Sequence, residues 1–170
     1  MAETSIPKTA LFQSIRDARP KLVTGVPDGM LAATIEACQA TDEFAYIACA
    51  REEECIGVAS GAAMAGERAI ILVQNAGLLN AIGAFATMGL RYQLPFVIIV
   101  TNRGVLADPN SYDIEKHDAF ELSVKNLARV FTYDAANLPK DLVPAAFKWA
   151  EAARRPAVIA LERRLEGATQ

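Results

Sequence analysis

The amino-acid sequence predicts a three-layer α/β/α domain built on a mostly parallel six-stranded sheet. Three observations lead there. Six short runs rich in β-branched residues are mostly continuous in apolar character rather than alternating, the mark of strands buried on both faces. Helical patterns fill the intervals, and alternating strands and helices build a parallel sheet covered on both sides. The 170 residues hold no repeat, low-complexity stretch or long linker, so 1–170 reads as one domain.

The elements follow in order. A helix over 7–18 (PKTALFQSIRDA) precedes a strand over 21–26 (KLVTGV). Asp28 is a plausible cap for a helix over 28–40, and FAYIA (44–48) is the next strand. A helix over 51–66 (REEECIGVASGAAMAG) ends in Gly66, a natural C-cap. Strand 69–74 (AIILVQ) leads into a helix over 77–92, and strand 95–101 (PFVIIVT) is the most hydrophobic. The segment 102–118 is the least regular and lies where functional loops gather, at the carboxyl end of a strand. A helix over 119–128, a strand over 129–134, a helix over 138–153 and a strand over 156–162 complete the set.

Composition narrows the function. A net charge of −3 with scattered Lys and Arg gives no reason to expect nucleic-acid binding, and Arg154-Arg155 and Arg163-Arg164 read as solvated faces. No apolar run approaches the roughly 20 residues needed to span a bilayer. Three cysteines without CxxC spacing argue against a disulfide framework or a zinc site, so a reducing cytoplasm is expected. One histidine excludes a multi-histidine metal centre, and no metal-ligating residue is assigned. GxGxxG after the first strand, GxxxxGK[ST] and GxSxG are all missing. An α/β domain without its own phosphate loop can borrow one from another chain.

What remains lies at strand ends: TGVPDG (24–29), AREEE (50–54), VQNAGLLN (73–80), TNRG (101–104) and EKHD (115–118). Of Glu52, Glu53 and Glu54, any could serve the helix macrodipole, worth about 0.3–1 kcal/mol each, or carry chemistry. A helical wheel sets Glu52 above Ile56, Ala59 and Ala63, and Glu54 above Val58, Gly61 and Ala65, so periodicity does not choose. Gly77 is expected to serve backbone geometry. Cys49 and Cys55 read as small packing residues.

In order and spacing, TGVPDG, the REEECIGVASGAAMAG helix, ILVQNAGLLNAIGA and VTNRG resemble the pyrimidine-binding domain of thiamine diphosphate enzymes. The likeness is strongest to the branch that decarboxylates sulfopyruvate and phosphonopyruvate. It covers residues 20 to 118 by landmarks and the rest in general pattern. Two departures stand out: Leu79 where relatives usually have Gly, and NRG where sulfopyruvate enzymes often have WRG.

The resemblance implies a thiamine diphosphate-dependent 2-oxo acid decarboxylase, converting sulfopyruvate to sulfoacetaldehyde and CO₂. The alternatives are phosphonopyruvate or another 2-oxo acid as substrate, or a non-catalytic scaffold of the same fold. A chain of this length looks like an alpha subunit, with a beta subunit carrying the GDG motif that holds Mg²⁺ and diphosphate. A hetero-oligomer is therefore expected, and the isolated chain is expected to fold as a homo-oligomer through the helices near 52–66 and 77–92.

The resemblance also assigns residues. Counting nine positions back from Gly61 selects Glu52 as the glutamate that shares a proton with N1′ of the cofactor's aminopyrimidine. Gln74 and Asn75 are cofactor candidates, and Asn75 and Asn80 substrate candidates, with local backbone bonding as the other reading. Asp28 either caps a helix or contacts bound substrate. Arg103 is either a surface arginine or the reader of an anionic substrate group. His117, expected in the loop, either is solvated or relays a proton.

Overall fold

A computed structural model describes residues 8–108 and 110–163. Helix α1 (Lys8–Asp17) leads into β1 (Leu22–Gly25), α2 (Ala32–Gln39), β2 (Ala45–Ala48) and α3 (Glu52–Met64). Then come β3 (Ala69–Gln74), α4 (Asn75–Asn80), a short α5 (Ile82–Ala84), a π-helical segment (Phe85–Arg91) and β4 (Val97–Thr101). The chain closes with a 3₁₀ turn (Ser111–Asp113), α6 (Ile114–Leu127), β5 (Val130–Asp134), α7 (Leu142–Ala153) and β6 (Ala157–Glu162). Pro7 of the first expected helix, and Arg164, lie outside the described residues.

All six strands are parallel, in the order β2-β1-β3-β4-β6-β5. Side chains alternate across the sheet with period two. Val23, Ile70, Leu72 and Ile99 point to one face, where they meet Leu11 and Ile15 of α1 and Val143 and Phe147 of α7. Ile71, Val73, Ile98 and Val100 point to the other, where they meet Ile56 of α3, Leu78, Phe85 and Phe120. The continuous apolar runs thus feed two cores, one under each helix layer. Phe85, Phe96, Phe120 and Phe147 are fully buried, each contributing about 1.5–3 kcal/mol relative to exposure.

The expected α/β/α architecture is present and the sheet, expected to be mostly parallel, is parallel throughout, with four local corrections. The helix expected over 28–40 begins at Ala32, because Asp28 caps a turn, accepting the Met30 and Leu31 N–H groups at 3.0 and 3.2 Å. The helix expected over 77–92 begins at Asn75 and breaks into three pieces. In its π-helical part Gly89 lies against Phe96 and Pro156, where a Cβ would come within 2.9 Å of the Pro156 ring. The helix expected over 119–128 starts five residues earlier, at Ile114, fed by the 3₁₀ turn. Finally β2 is an edge strand whose Ile47 is 42% exposed, rather than buried on both faces.

Gly66 ends α3 as expected. Its φ of 80° lets the Glu67 N–H reach the Ala62 carbonyl at 3.0 Å and its own N–H reach Ala63 at 3.1 Å. Among the described residues no helix is long and apolar enough to cross a membrane.

Candidate active site

The sheet's connectivity marks where a site belongs. From β1 the chain moves outward to β2; from β3 it moves the other way, to β4. The carboxyl ends of β1 and β3 therefore flank a topological switch point, where open α/β sheets bind ligands. Asp28 follows β1, Glu52 follows β2, Gln74 and Asn75 end and follow β3, and Arg103 follows β4.

The three glutamates have different partners. Glu54 folds back on the start of α3, its carboxylate accepting the Ala50 and Arg51 N–H groups at 3.0 and 3.3 Å. That is a helix-capping role, reinforced by the macrodipole. Glu53 pairs with Arg51 at 3.1 Å on an exposed flank. Glu52 makes no hydrogen bond or ion pair with any described residue. Its side chain is half-buried and lies against Gly77 of α4: a Cβ there would sit 2.3 Å from Oε1 and 2.6 Å from Cγ. Of three adjacent carboxylates, the unengaged one faces the switch point.

Gly77 corrects an expectation. It does not have the positive φ that Gly66 and Gly104 show. Inside a helix a glycine costs roughly 0.5–1 kcal/mol relative to alanine, so backbone geometry does not explain it. The space it leaves is filled by Glu52.

The flanking thiols are quiet. Thr24 Oγ1 donates to the Ile47 carbonyl at 2.8 Å, so at 3.2 Å the Cys49 thiol is left to donate to Thr24. Burial pushes the Cys55 thiol up to about 12, which keeps it protonated and unreactive.

A second group links the ends of β1, β3, β4 and β6. Asn75 is fully buried; its amide donates to Asn102 Oδ1 at 3.1 Å and to the Arg103 carbonyl at 3.0 Å. Its own oxygen accepts the Ala76 N–H at 3.0 Å. Asn102 in turn donates to Glu162 at 2.7 Å. Thr101 donates to Asp28 at 3.2 Å. Burial raises the Asp28 carboxyl above the usual range, opposed by the Thr101, Leu31 and Met30 bonds and by the Arg103 charge. Asp28 also lines an open hollow with Pro27, Ala32, Ile35 and Glu36.

Arg103 is not presented to solvent. Its guanidinium forks onto Asp108, Nε at 2.6 Å and Nη2 at 3.2 Å, with Asp113 at 3.7 Å, and the residue is only 7% exposed. In this state the expected anion reader is a pin holding loop 102–113. His117 is corrected too: it lies in the first turn of α6, not in a loop, with Nδ1 buried and without a hydrogen-bond partner. Its Cβ packs beside Gly104, whose φ is 89°. Gln74 is half-buried and forms no side-chain bond with a described residue; Asn80 is exposed at the far end of α4.

The edge therefore brings together Asp28, Asn75 and Arg103 in one network and sets Glu52 against Gly77. Asn80 is left outside both groups. Sequence reasoning missed Thr101, Asp108 and Asp113. The signal for Asp108 was its acidity five residues beyond Arg103, within the irregular segment. Among the described residues no group of three His, Cys, Asp or Glu side chains is arranged to hold a metal ion.

Residues 8–123 match the family described as thiamine pyrophosphate enzyme, N-terminal TPP binding domain. The chain is 34% identical over 105 residues to the sulfopyruvate decarboxylase subunit alpha of Methanococcus maripaludis, covering 62% of this chain and 63% of that one. It is 36% identical over 95 residues to the subunit of the same name from Methanothermobacter thermautotrophicus, covering 56% and 58%. The matches thus span about three-fifths of these curated relatives. A benzoylformate decarboxylase crystal structure from Polynucleobacter necessarius superposes with a TM-score of 0.67 at 21% identity, over 98% of this chain and 32% of that one. That last likeness concerns the fold alone.

Proposed function

We propose a function from one premise: this chain belongs to the thiamine pyrophosphate enzymes, as their N-terminal TPP-binding domain. On our reading it is the pyrimidine-side subunit of a thiamine diphosphate-dependent 2-oxo acid decarboxylase. Its substrate is sulfopyruvate, and its products are sulfoacetaldehyde and CO₂. The names of the two methanogen subunits support that choice of substrate. A partner subunit supplies the diphosphate and Mg²⁺ site, and exposed Gly57, Gly61 and Met64 on α3 suit a contact with it. The three free thiols suit the reducing cytoplasm.

The carrying observation is Glu52, an unengaged carboxylate seated in the notch left by Gly77 beside the switch point. The residues fit the cofactor's pyrimidine end: a carboxyl free to share a proton, a half-buried amide at Gln74, and no competing cation on Glu52 among the described residues. When bound, thiamine diphosphate supplies a nucleophilic carbon and an electron sink for the pair released with CO₂. With the cofactor bound, Glu52 would hold a proton at its carboxyl oxygen, turned toward the pyrimidine ring. On this reading Asp28, whose carboxyl burial raises above its usual range and which lines the open hollow after β1, would hold a proton near the oxo acid.

The test is Glu52→Gln, which keeps shape but removes the shared proton. In the complex with the partner and thiamine diphosphate, exchange of the thiazolium C2 proton is expected to slow by about 10²–10⁴-fold. Exchange at the wild-type rate would sink the assignment and favour a scaffold role.

A further inference from the structure

We propose that Gly77 is a positioning residue for Glu52: its missing side chain creates the slot that holds the carboxyl group at the carboxyl edge of the sheet. The proposal rests on the reading of Glu52 for its catalytic half and on packing alone for its steric half.

The steric half follows from geometry. The two residues lie in different elements, Glu52 in the first turn of α3 and Gly77 in the middle of α4. A Cβ on residue 77 would come within 2.3 Å of Oε1, 2.6 Å of Cγ and 2.7 Å of Cδ. Real Cβ contacts do not approach so closely, and three side-chain atoms are involved rather than one flexible tip. Glu52 is half-buried and has no hydrogen bond to a described residue that would hold it in place. The expected response to a methyl group is therefore eviction of the carboxyl, not collapse of the fold. Packing decides its position, and the packing surface is a glycine.

The neighbours explain why this surface is dependable. Asn75, two residues before Gly77, is fully buried and bonded to Asn102 and to the Arg103 carbonyl. The start of α4 is thereby fixed to the end of β4. Glu54 fixes the start of α3 through the Ala50 and Arg51 N–H groups. Two anchored helix starts face each other, with Glu52 between them. A proton-transfer group has to be held to within about half an ångström, and a 1 Å displacement can cost about 10²-fold in rate.

The experiment is a double-mutant cycle on the full chain: wild type, Gly77→Ala, Glu52→Ala and the double variant. Alanine for glycine inside a helix ordinarily stabilises, by about 1–4 °C in Tm for a domain of this size. That gain is expected in full in the Glu52→Ala background. With Glu52 present it is expected to vanish or reverse, because the methyl competes with the carboxyl. Equal Tm shifts in the two backgrounds overturn the contact. The second arm measures C2 proton exchange of thiamine diphosphate in the complex with the partner. Gly77→Ala is expected to slow exchange by about 10²-fold, yet add little in a Glu52→Gln background. Wild-type exchange in Gly77→Ala, with Glu52→Gln slow, overturns the positioning role. Wild-type exchange in Glu52→Gln overturns the functional reading instead, and the Tm cycle distinguishes the two failures.

Discussion

Asp108→Asn tests whether Arg103 is an internal pin. The Asp108 side chain is 2% exposed and the Arg103 side chain 8%, so the pair is dry. Asp108 accepts two bonds from Arg103, one from the Gly104 N–H at 3.2 Å and one from the Asn110 N–H at 3.1 Å. Removing one partner of a buried pair leaves an uncompensated charge and costs about 3–5 kcal/mol. Asp113, 3.7 Å from Arg103, keeps part of the attraction, so the lower end applies, about 3 kcal/mol. For a domain of this size that lowers Tm by about 6–12 °C.

The pH dependence gives a second readout. Burial works against the Asp108 charge, but the bonds from Arg103, Asn110 and Gly104 win and hold its pKa below the usual carboxylate value. A depressed pKa contributes stability that is present above the unfolded carboxylate value and lost as pH falls through the folded one. Asp28, raised by burial, has the opposite sign and is common to both proteins. The Tm gap between wild type and Asp108→Asn should therefore be widest near neutrality and close in acid. Thermal melts from pH 7 to strong acid measure it. A gap under about 1 °C at pH 7, or one that ignores pH, would refute the pin and return Arg103 to the role of a free anion reader.

Glu54→Ala removes the cap of α3 and should cost about 1 kcal/mol in denaturant melts, while slowing C2 proton exchange in the complex far less than Glu52→Gln does. That pairing is the converse of Glu52→Gln, whose exchange slows while its Tm holds. Gly104→Ala should destabilise loop 102–113: the φ of 89° alone costs a side chain about 1–3 kcal/mol, and the new Cβ would lie 2.1 Å from the Asp113 carbonyl. Amide hydrogen exchange across the loop checks this, and unchanged protection would show that the turn tolerates a side chain.

Much of the fold was legible because its signals are local. Continuous apolar runs such as VIIVT have one stable destination, a strand covered on both faces, and glycine after AAMA has one low-cost use, a C-cap. The alternation of runs then forced a parallel sheet. The edge strand β2 escaped this logic, since FAYIA has a core strand's composition while no described strand pairs with it on one side. Residues 111–118 were too charged to read as a helix start, because part of what surrounds the buried Asp113, Arg103 and Gly104, lies about ten residues earlier in the chain.

The site divides in the same way. Residue types at strand ends pointed to this edge, and the resemblance selected Glu52 by spacing. The helical wheel left Glu52 and Glu54 equivalent, since both sit above small apolar stripes. Only tertiary structure separated them: Glu54 turns back to its own helix start, while Glu52 meets Gly77 of another element. The bonds that define the network span 27 residues from Asn75 to Asn102 and 73 from Asp28 to Thr101. They exist because the register sets Gln74 beside Thr101 and Gly25 beside Leu72. Local patterning determines which segments become strands and which residue types end them. Strand order and register determine which of those ends touch, because backbone pairing across the sheet brings distant residues within bonding distance.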